Sequence, residues 1–219
     1  VSQRINLQQQ VFQGNQRWAE QNRSMFQQHS LLVVNIIGSP GAGKTTLLES
    51  MVPLLQDKVR MAVIEGDVET TFDSERIAAC GIQSVQINTF GACHLDAKMI
   101  SSVAEHFSLS ALDILVIENV GNLVCPAEFD LGEGIRVVVL STAEGADKVR
   151  KYPTVFQRAH AVVLNKIDLL PYVRFDLEAF RKNLLCLHEN VKLFCVSATN
   201  SEGVDSFCDW LLVQQGKCT

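Results

Sequence analysis

Seven short β-branched runs, most of them nearly all apolar, recur along the chain with amphipathic segments between them, and this alternation limits the fold more than any other feature. The runs cover residues 31–37, 61–65, 84–87, 114–117, 136–140, 161–164 and 193–196. A strand with one wet face alternates apolar and polar residues, whereas a strand covered on both faces is apolar nearly throughout. Helix-compatible segments lie around 44–56, 74–80, 94–107, 147–158, 176–188 and 203–214. Strand then helix, repeated over this length, predicts an α/β domain with a mostly parallel sheet flanked by helices. A chain of 219 residues suits one large domain that buries roughly 70% of its extended surface, and such a core needs no disulfide or metal to hold it.

The first 29 residues differ in composition, being rich in Gln and free of Pro. Ile5, Phe12, Ala19 and Phe26 recur every seven residues, as do Val11, Trp18 and Met25. Seven residues make about two helical turns, so each set shares one narrow stripe. We therefore expect an N-terminal amphipathic helix over 1–29 ahead of a domain over 30–219. Its stripe either packs on that domain or docks a partner or second copy.

The first apolar run leads directly into Gly38-Ser39-Pro40-Gly41-Ala42-Gly43-Lys44-Thr45, a match to GxxxxGK[ST], and a helix pattern with Thr46 follows it. This is the P-loop arrangement: glycines let successive backbone N–H groups curl around phosphate, Lys44 neutralises β/γ oxygens, and the Thr45 hydroxyl can ligate Mg²⁺. Asn165-Lys166-Ile167-Asp168 lies at the end of another apolar run and resembles the NKxD guanine motif. There Asp168 would accept hydrogen bonds from the base N1–H and exocyclic amine, a donor pair that adenine lacks. Ser197-Ala198 matches the element that supports the base edge.

Glu118 ends the run 114–117, where P-loop proteins place an acid on the magnesium side; a solvated strand end is the alternative. Gly121 can give its N–H to the γ-phosphate, and Asp67 is a second candidate for the magnesium shell. No DxxGQ element supplies a glutamine to orient water. Asp73 is the candidate for that catalytic role beside Lys44, with a helix N-cap as its competing reading.

Lys and Arg number 19 against 24 Asp and Glu, a net charge of −5. That balance is a poor basis for gripping nucleic acid. No run reaches the roughly 18 apolar residues of a membrane span, and the first ten residues are too polar for a secretory signal, so the chain reads as cytoplasmic without nucleic-acid or membrane partners. Seven cysteines without a CxxC pair are, by default, small buried hydrophobes in a reducing compartment. Cys93 and His94 are adjacent at the start of the helix candidate 94–107, where a thiol ionises more easily, and Cys125 follows Gly121 by four residues. Thiolate and imidazole together suit zinc or nickel, and three ligands leave a position open. His29, His106, His160 and His188 are scattered and read as surface or core residues.

GSPGAGKTTLLE (38–49), EGDVETTFDSERI (65–77), QINTFGACHLDA (86–97), ENVGNLVCPAEFDLGE (118–133), KYP (151–153) and NKIDLLP (165–171) together make residues 31–215 resemble the hydrogenase nickel-incorporation GTPases of the HypB family. The related urease metallochaperones order their motif Cys-Pro-His; here Cys-His is joined by a separate Cys125. The resemblance implies a P-loop NTPase of the SIMIBI type and a GTP-dependent homodimer that slowly hydrolyses GTP to GDP with Mg²⁺. It implies nickel binding with zinc competing, and delivery with a partner chaperone to a hydrogenase large-subunit precursor. It further implies that Cys93, His94 and Cys125 are shared ligands at the dimer interface and that Lys151 reaches towards the partner's nucleotide. Phe90 and Ala92 stand where the family usually has Gly, and Ala146 replaces the first Asp of EGDDK. Two other readings are a nucleotide kinase or NTPase on the same P-loop, and a metal-buffering dimer.

Overall fold

The computed structural model describes residues 7–67 and 72–218. Strands β1 (Leu32–Gly38), β2 (Met61–Asp67), β3 (Gln83–Asn88), β4 (Ile114–Glu118), β5 (Ile135–Ser141), β6 (Ala161–Asn165) and β7 (Lys192–Cys195) form one sheet in the order β3-β2-β4-β1-β5-β6-β7. All its pairings are parallel. Each expected run is a strand, with bounds shifted by no more than two residues. The five central strands are almost wholly buried and the edge strands β3 and β7 partly exposed, which is why the inner runs lack polar alternation.

The helices are α1 (Leu7–Gln28), α2 (Lys44–Leu55), α3 (Phe72–Ala79), α4 (Ala97–Ala104), α5 (Cys125–Glu128), α6 (Lys148–Lys151), α7 (Pro153–Gln157), α8 (Leu177–Leu187) and α9 (Val204–Gln215). Two expected helices need correction. The segment 94–107 starts late, at Ala97, because the Asp96 side chain accepts the Met99 N–H at 2.8 Å and caps the helix there. The segment 147–158 is two short helices meeting at Tyr152 (φ −126°, ψ 57°), since a residue before proline is forced out of the helical region and Pro153 opens the next turn.

On one face of the sheet, Leu32, Val34 and Ile36 of β1 join Leu47 and Met51 of α2 and Phe207 and Leu211 of α9. The opposite face carries two apolar clusters. One holds Ile37, Phe156 of α7 and Phe180 of α8; the other holds Val33, Phe26 of α1 and Ile100 of α4. Buried Asn35 lies between Val33 and Ile37 on this second face, and its polar partners separate the clusters. Helix α1 buries Ala19 and Phe26 and sets Phe12 against Phe129, while Val11 and Trp18 of the other stripe are exposed. Ile5 lies outside the described residues. Asn22 donates to the carbonyls of Ala97 and Leu131, and Arg23 pairs with Asp130 at 2.8 Å, tying α1 to both loops it covers.

Candidate functional site

The loop between β1 and α2 opens at the C-terminal edge of the sheet, with β4 and β5 on either side of β1. This is the switch point at which open α/β sheets bind ligands. Gly43 there has φ +89°, and a Cβ on it would stand 2.5 Å from Asn165 Nδ2, so both conformation and space demand glycine. The cleft is about 480 Å³ and is lined by Pro40, Gly41, Gly43, Lys44, Thr45, Thr46, Asp67, Asp73, Glu118, Gly121 and Lys166 among others. Ser39 and Ala42 shape its turn, the Ala42 N–H donating to the Ser39 carbonyl at 3.2 Å. Gly121 approaches so closely that a Cβ would meet Pro40 at 3.0 Å, which brings the loop after β4 against the phosphate loop.

Glu118 sits at the end of β4, 6% exposed, and its Oε1 accepts the Thr45 hydroxyl at 2.9 Å. It is therefore not a solvated strand end. Burial pushes its carboxyl up to about 7, against the opposing pull of Lys44 and Thr45. Beside it, in register on β2, stands Glu65. Glu65 is 3% exposed and lifted to about 8 by burial first and then by its carboxylate neighbours Glu118, Asp73 and Asp67. Among the described residues both Glu65 oxygens and Glu118 Oε2 are buried without a hydrogen-bond partner. Buried carboxyl groups of this kind either keep a proton or take a counter-charge, and an all-oxygen set with a threonine hydroxyl suits Mg²⁺. Glu65 was not foreseen, although the rule that selects Glu118, an acid at the C-terminal end of an apolar run, selects it too.

Asp73 lies within the first turn of α3 rather than at its cap, and accepts from Arg76 at 3.0 Å while Arg76 also pairs with Glu49 at 2.6 Å. Thr70 and Thr71 before it lie outside the described residues.

At the other end of the loop, Asn165 Nδ2 donates to the Ala42 carbonyl at 3.0 Å and its Oδ1 accepts from Lys166 and Ala198 N–H groups at 2.7 and 3.0 Å. Lys166 has φ +62° and its Nζ donates to the Gly41 carbonyl at 2.7 Å, with the Thr142 hydroxyl on its own carbonyl at 2.6 Å. Asp168 accepts the Ser197 hydroxyl at 2.6 Å. The two expected base elements are thus joined to each other and to the phosphate loop.

Cys93, His94 and Cys125 converge: their donor atoms all lie within 4.8 Å of one another, and Cys93 Sγ is 3.7 Å from His94 Nδ1. Bonds of about 2.3 Å to sulfur and 2.0 Å to nitrogen place tetrahedral ligand atoms roughly 3.5–4 Å apart, so only a small closure is required. The His94 ring stacks on Phe129 at 3.8 Å, and burial lowers its basicity, a shift towards the neutral imidazole that metals bind. Cys93 is not at a helix start, because α4 begins four residues later. The hydrogen bond to Cys125 raises its thiol instead of lowering it. Cys125 is the residue that opens a helix, the short α5. Phe90, 90% exposed at φ +48°, holds a conformation unfavourable for an aromatic residue. Lys151 is exposed and paired with Asp147 at 2.6 Å.

A family model described as the CobW/HypB/UreG nucleotide-binding domain matches residues 32–194. The hydrogenase maturation factor HypB of Escherichia coli strain K12 is 49% identical over 208 residues, covering 94% of this chain and 71% of that protein. The probable hydrogenase maturation factor HypB of Methanocaldococcus jannaschii is 36% identical over 94% of each chain. Among solved structures, HypB from Helicobacter pylori in complex with nickel superposes with a TM-score of 0.88 at 35% identity, over 93% of this chain and 96% of that one. From the nucleotide-binding fold and these likenesses, the chain belongs to the CobW/HypB/UreG family, on its HypB branch.

Proposed function

We propose that this chain is a cytoplasmic, GTP-hydrolysing nickel chaperone for hydrogenase maturation. Gly38 to Thr46 and Gly121 hold the phosphates, and Asn165, Lys166, Asp168, Ser197 and Ala198 hold guanine. Thr45, Asp67 and Glu118, with Glu65 behind them, are the residues that would hold Mg²⁺, which when bound supplies charge neutralisation on the phosphates. Lys44 neutralises developing charge and Asp73 orients the attacking water, a sparse set that fits slow turnover of GTP to GDP. Cys93, His94 and Cys125 take Ni²⁺ as cargo, with Zn²⁺ competing, at an interface formed by a GTP-dependent homodimer in which Lys151 reaches the partner's nucleotide. A delivery chaperone and a hydrogenase large-subunit precursor are the further partners. The N-terminal helix, within 1–29, and the GTPase domain, 30–219, form its two parts.

One observation carries this reading. The loop that leaves Glu118 passes Gly121 at the phosphate cleft and ends at Cys125 in the thiolate–imidazole cluster. The names and the nickel complex of its relatives support the cargo. Cys125→Ala tests it: nickel affinity should fall at least tenfold while GTP affinity stays within threefold. Equal loss of both points to a structural cysteine. Turnover of GTP that needs a phosphate-accepting co-substrate points to a kinase, and nickel binding without any nucleotide binding points to a metal buffer.

A further inference from the structure

The loop 119–124 carries two asparagines whose amides tie it to the other ligand-bearing loop. Asn119 is buried, and both ends of its amide are fixed. Its Oδ1 accepts from the Leu95 N–H at 3.2 Å and the Val120 N–H at 3.0 Å, and its Nδ2 donates to Asn35 Oδ1 at 3.2 Å. Asn35 in turn donates to Glu133 Oε1 at 3.2 Å, a carboxylate held by Arg136 through Nε at 2.9 Å. Acceptor and donor roles along this chain are therefore set by the carboxylate at its end, and Asn119 cannot rotate without leaving a buried group unsatisfied. Asn122 lies three residues on and is half-buried. Its Nδ2 donates to the Cys93 carbonyl at 3.2 Å, and its Oδ1 accepts the Val124 N–H at 2.9 Å. One amide thus bridges the backbone of the first thiol-bearing residue and the residue preceding the second.

We propose that Asn122 is the positioning residue that transmits nucleotide state to the metal cluster, with Asn119 as its fixed anchor. Gly121, between them, faces Pro40 in the phosphate loop. A displacement of Gly121 by a γ-phosphate must be absorbed while Asn119 stays in place, so it passes to Asn122. It leaves Asn122 in two directions, through Nδ2 to Cys93 and through Oδ1 to the segment entering Cys125. The separation of the two sulfurs then depends on the nucleotide. Metal geometry is a sharp function of that separation, because ligand distances tolerate only a few tenths of an ångström.

This inference rests on the proposed linkage between nucleotide and nickel, and the test separates the two. Ni²⁺ affinity is measured by titration of the full chain loaded with GDP or with a non-hydrolysable GTP analogue, following the thiolate-to-nickel charge-transfer absorption. The wild type is expected to show affinities that differ about 5–150-fold between the two states, the usual range of allosteric coupling. In Asn122→Ala the ratio should fall to within about twofold of one, with nucleotide affinities kept within threefold and the charge-transfer band no longer changing between states. Asn122→Asp retains the acceptor for Val124 and removes the donor to Cys93, so its ratio should also collapse if the Cys93 link is the essential one. A variant ratio equal to that of a coupled wild type overturns the role of Asn122 and leaves the linkage intact. A wild-type ratio of one removes the linkage, and the inference with it.

Discussion

Asp168→Asn is the substitution that most sharply tests whether this residue selects guanine, as proposed. The carboxylate is fixed by the Ser197 hydroxyl at 2.6 Å, and an asparagine placed there can keep that bond by turning its Oδ1 to Ser197. Its Nδ2 then faces the base, and guanine's N1–H and amine meet another donor where they had a carboxylate. Each hydrogen bond to a charged group contributes about 1.5–3 kcal/mol. Losing two removes about 3–6 kcal/mol, or roughly 10²- to 10⁴-fold in affinity. Xanthine carries an oxygen in place of the amine and accepts from the new amide, so XTP should gain as GTP loses. Displacement of a fluorescent nucleotide by GTP, XTP and ATP, in the wild type and the variant, measures both changes, and a thermal scan confirms that the fold is unaltered. GTP affinity within threefold of wild type, with no gain for XTP, would refute base reading by Asp168.

Three further expectations follow from buried groups and thiols. Arg136 and Glu133 have side chains only 7% and 4% exposed, and Arg136 also holds the carbonyls of Ala127 and Phe129. Arg136→Leu should cost about 3–5 kcal/mol, which at about 2.1 cal/mol/K per residue lowers Tm by roughly 7–11 °C; a fall under 2 °C in calorimetry would contradict the assignment. Glu65 holds a proton in the folded, metal-free protein up to about pH 8, whereas the unfolded carboxyl releases it near 4.5. The folded state binds the extra proton, so stability in chelator should decline as pH rises through that window. Glu65→Gln should flatten the decline, raise the metal-free Tm at pH 8 and weaken Mg²⁺-dependent nucleotide retention; equal slopes in the two proteins would count against it. Finally, Zn²⁺ should shield exposed Cys93 and half-buried Cys125 from alkylation but leave exposed Cys186 and Cys218 reactive, as peptide mass spectrometry can read.

What the sequence made legible follows from how local each signal is. The inner strands could be read because burial on both faces writes itself into consecutive residues, as in 114–117. The glycine-rich loop, and the segments 165–168 and 197–198 that join it, could be picked out because each is a short backbone device with residues at fixed offsets. Boundaries set by one side chain were missed: Asp96 starts α4 three residues after the expected start, and Pro153 divides what periodicity joined. The short α5 has too few residues to show any period. Glu65 gained its meaning from the register that sets it beside Glu118, 53 positions away. Likewise the amide chain from Asn119 through Asn35 to Glu133 crosses three elements, and no window of sequence contains it. The convergence of Cys125 on Cys93 is long-range too; residue chemistry and the place of Cys125 after Gly121 suggest it, and the family resemblance strengthens it.

The central claim is that one loop makes nucleotide state and nickel affinity interdependent. Its most direct measurement is Ni²⁺ stoichiometry and affinity, taken together with the mass of the species in solution, for wild-type protein in GDP and in a non-hydrolysable GTP analogue. The affinities should differ at least about fivefold between the two states, with the dimer favoured in the GTP analogue and metal lost in Cys125→Ala. Equal nickel affinity in the two states would contradict it.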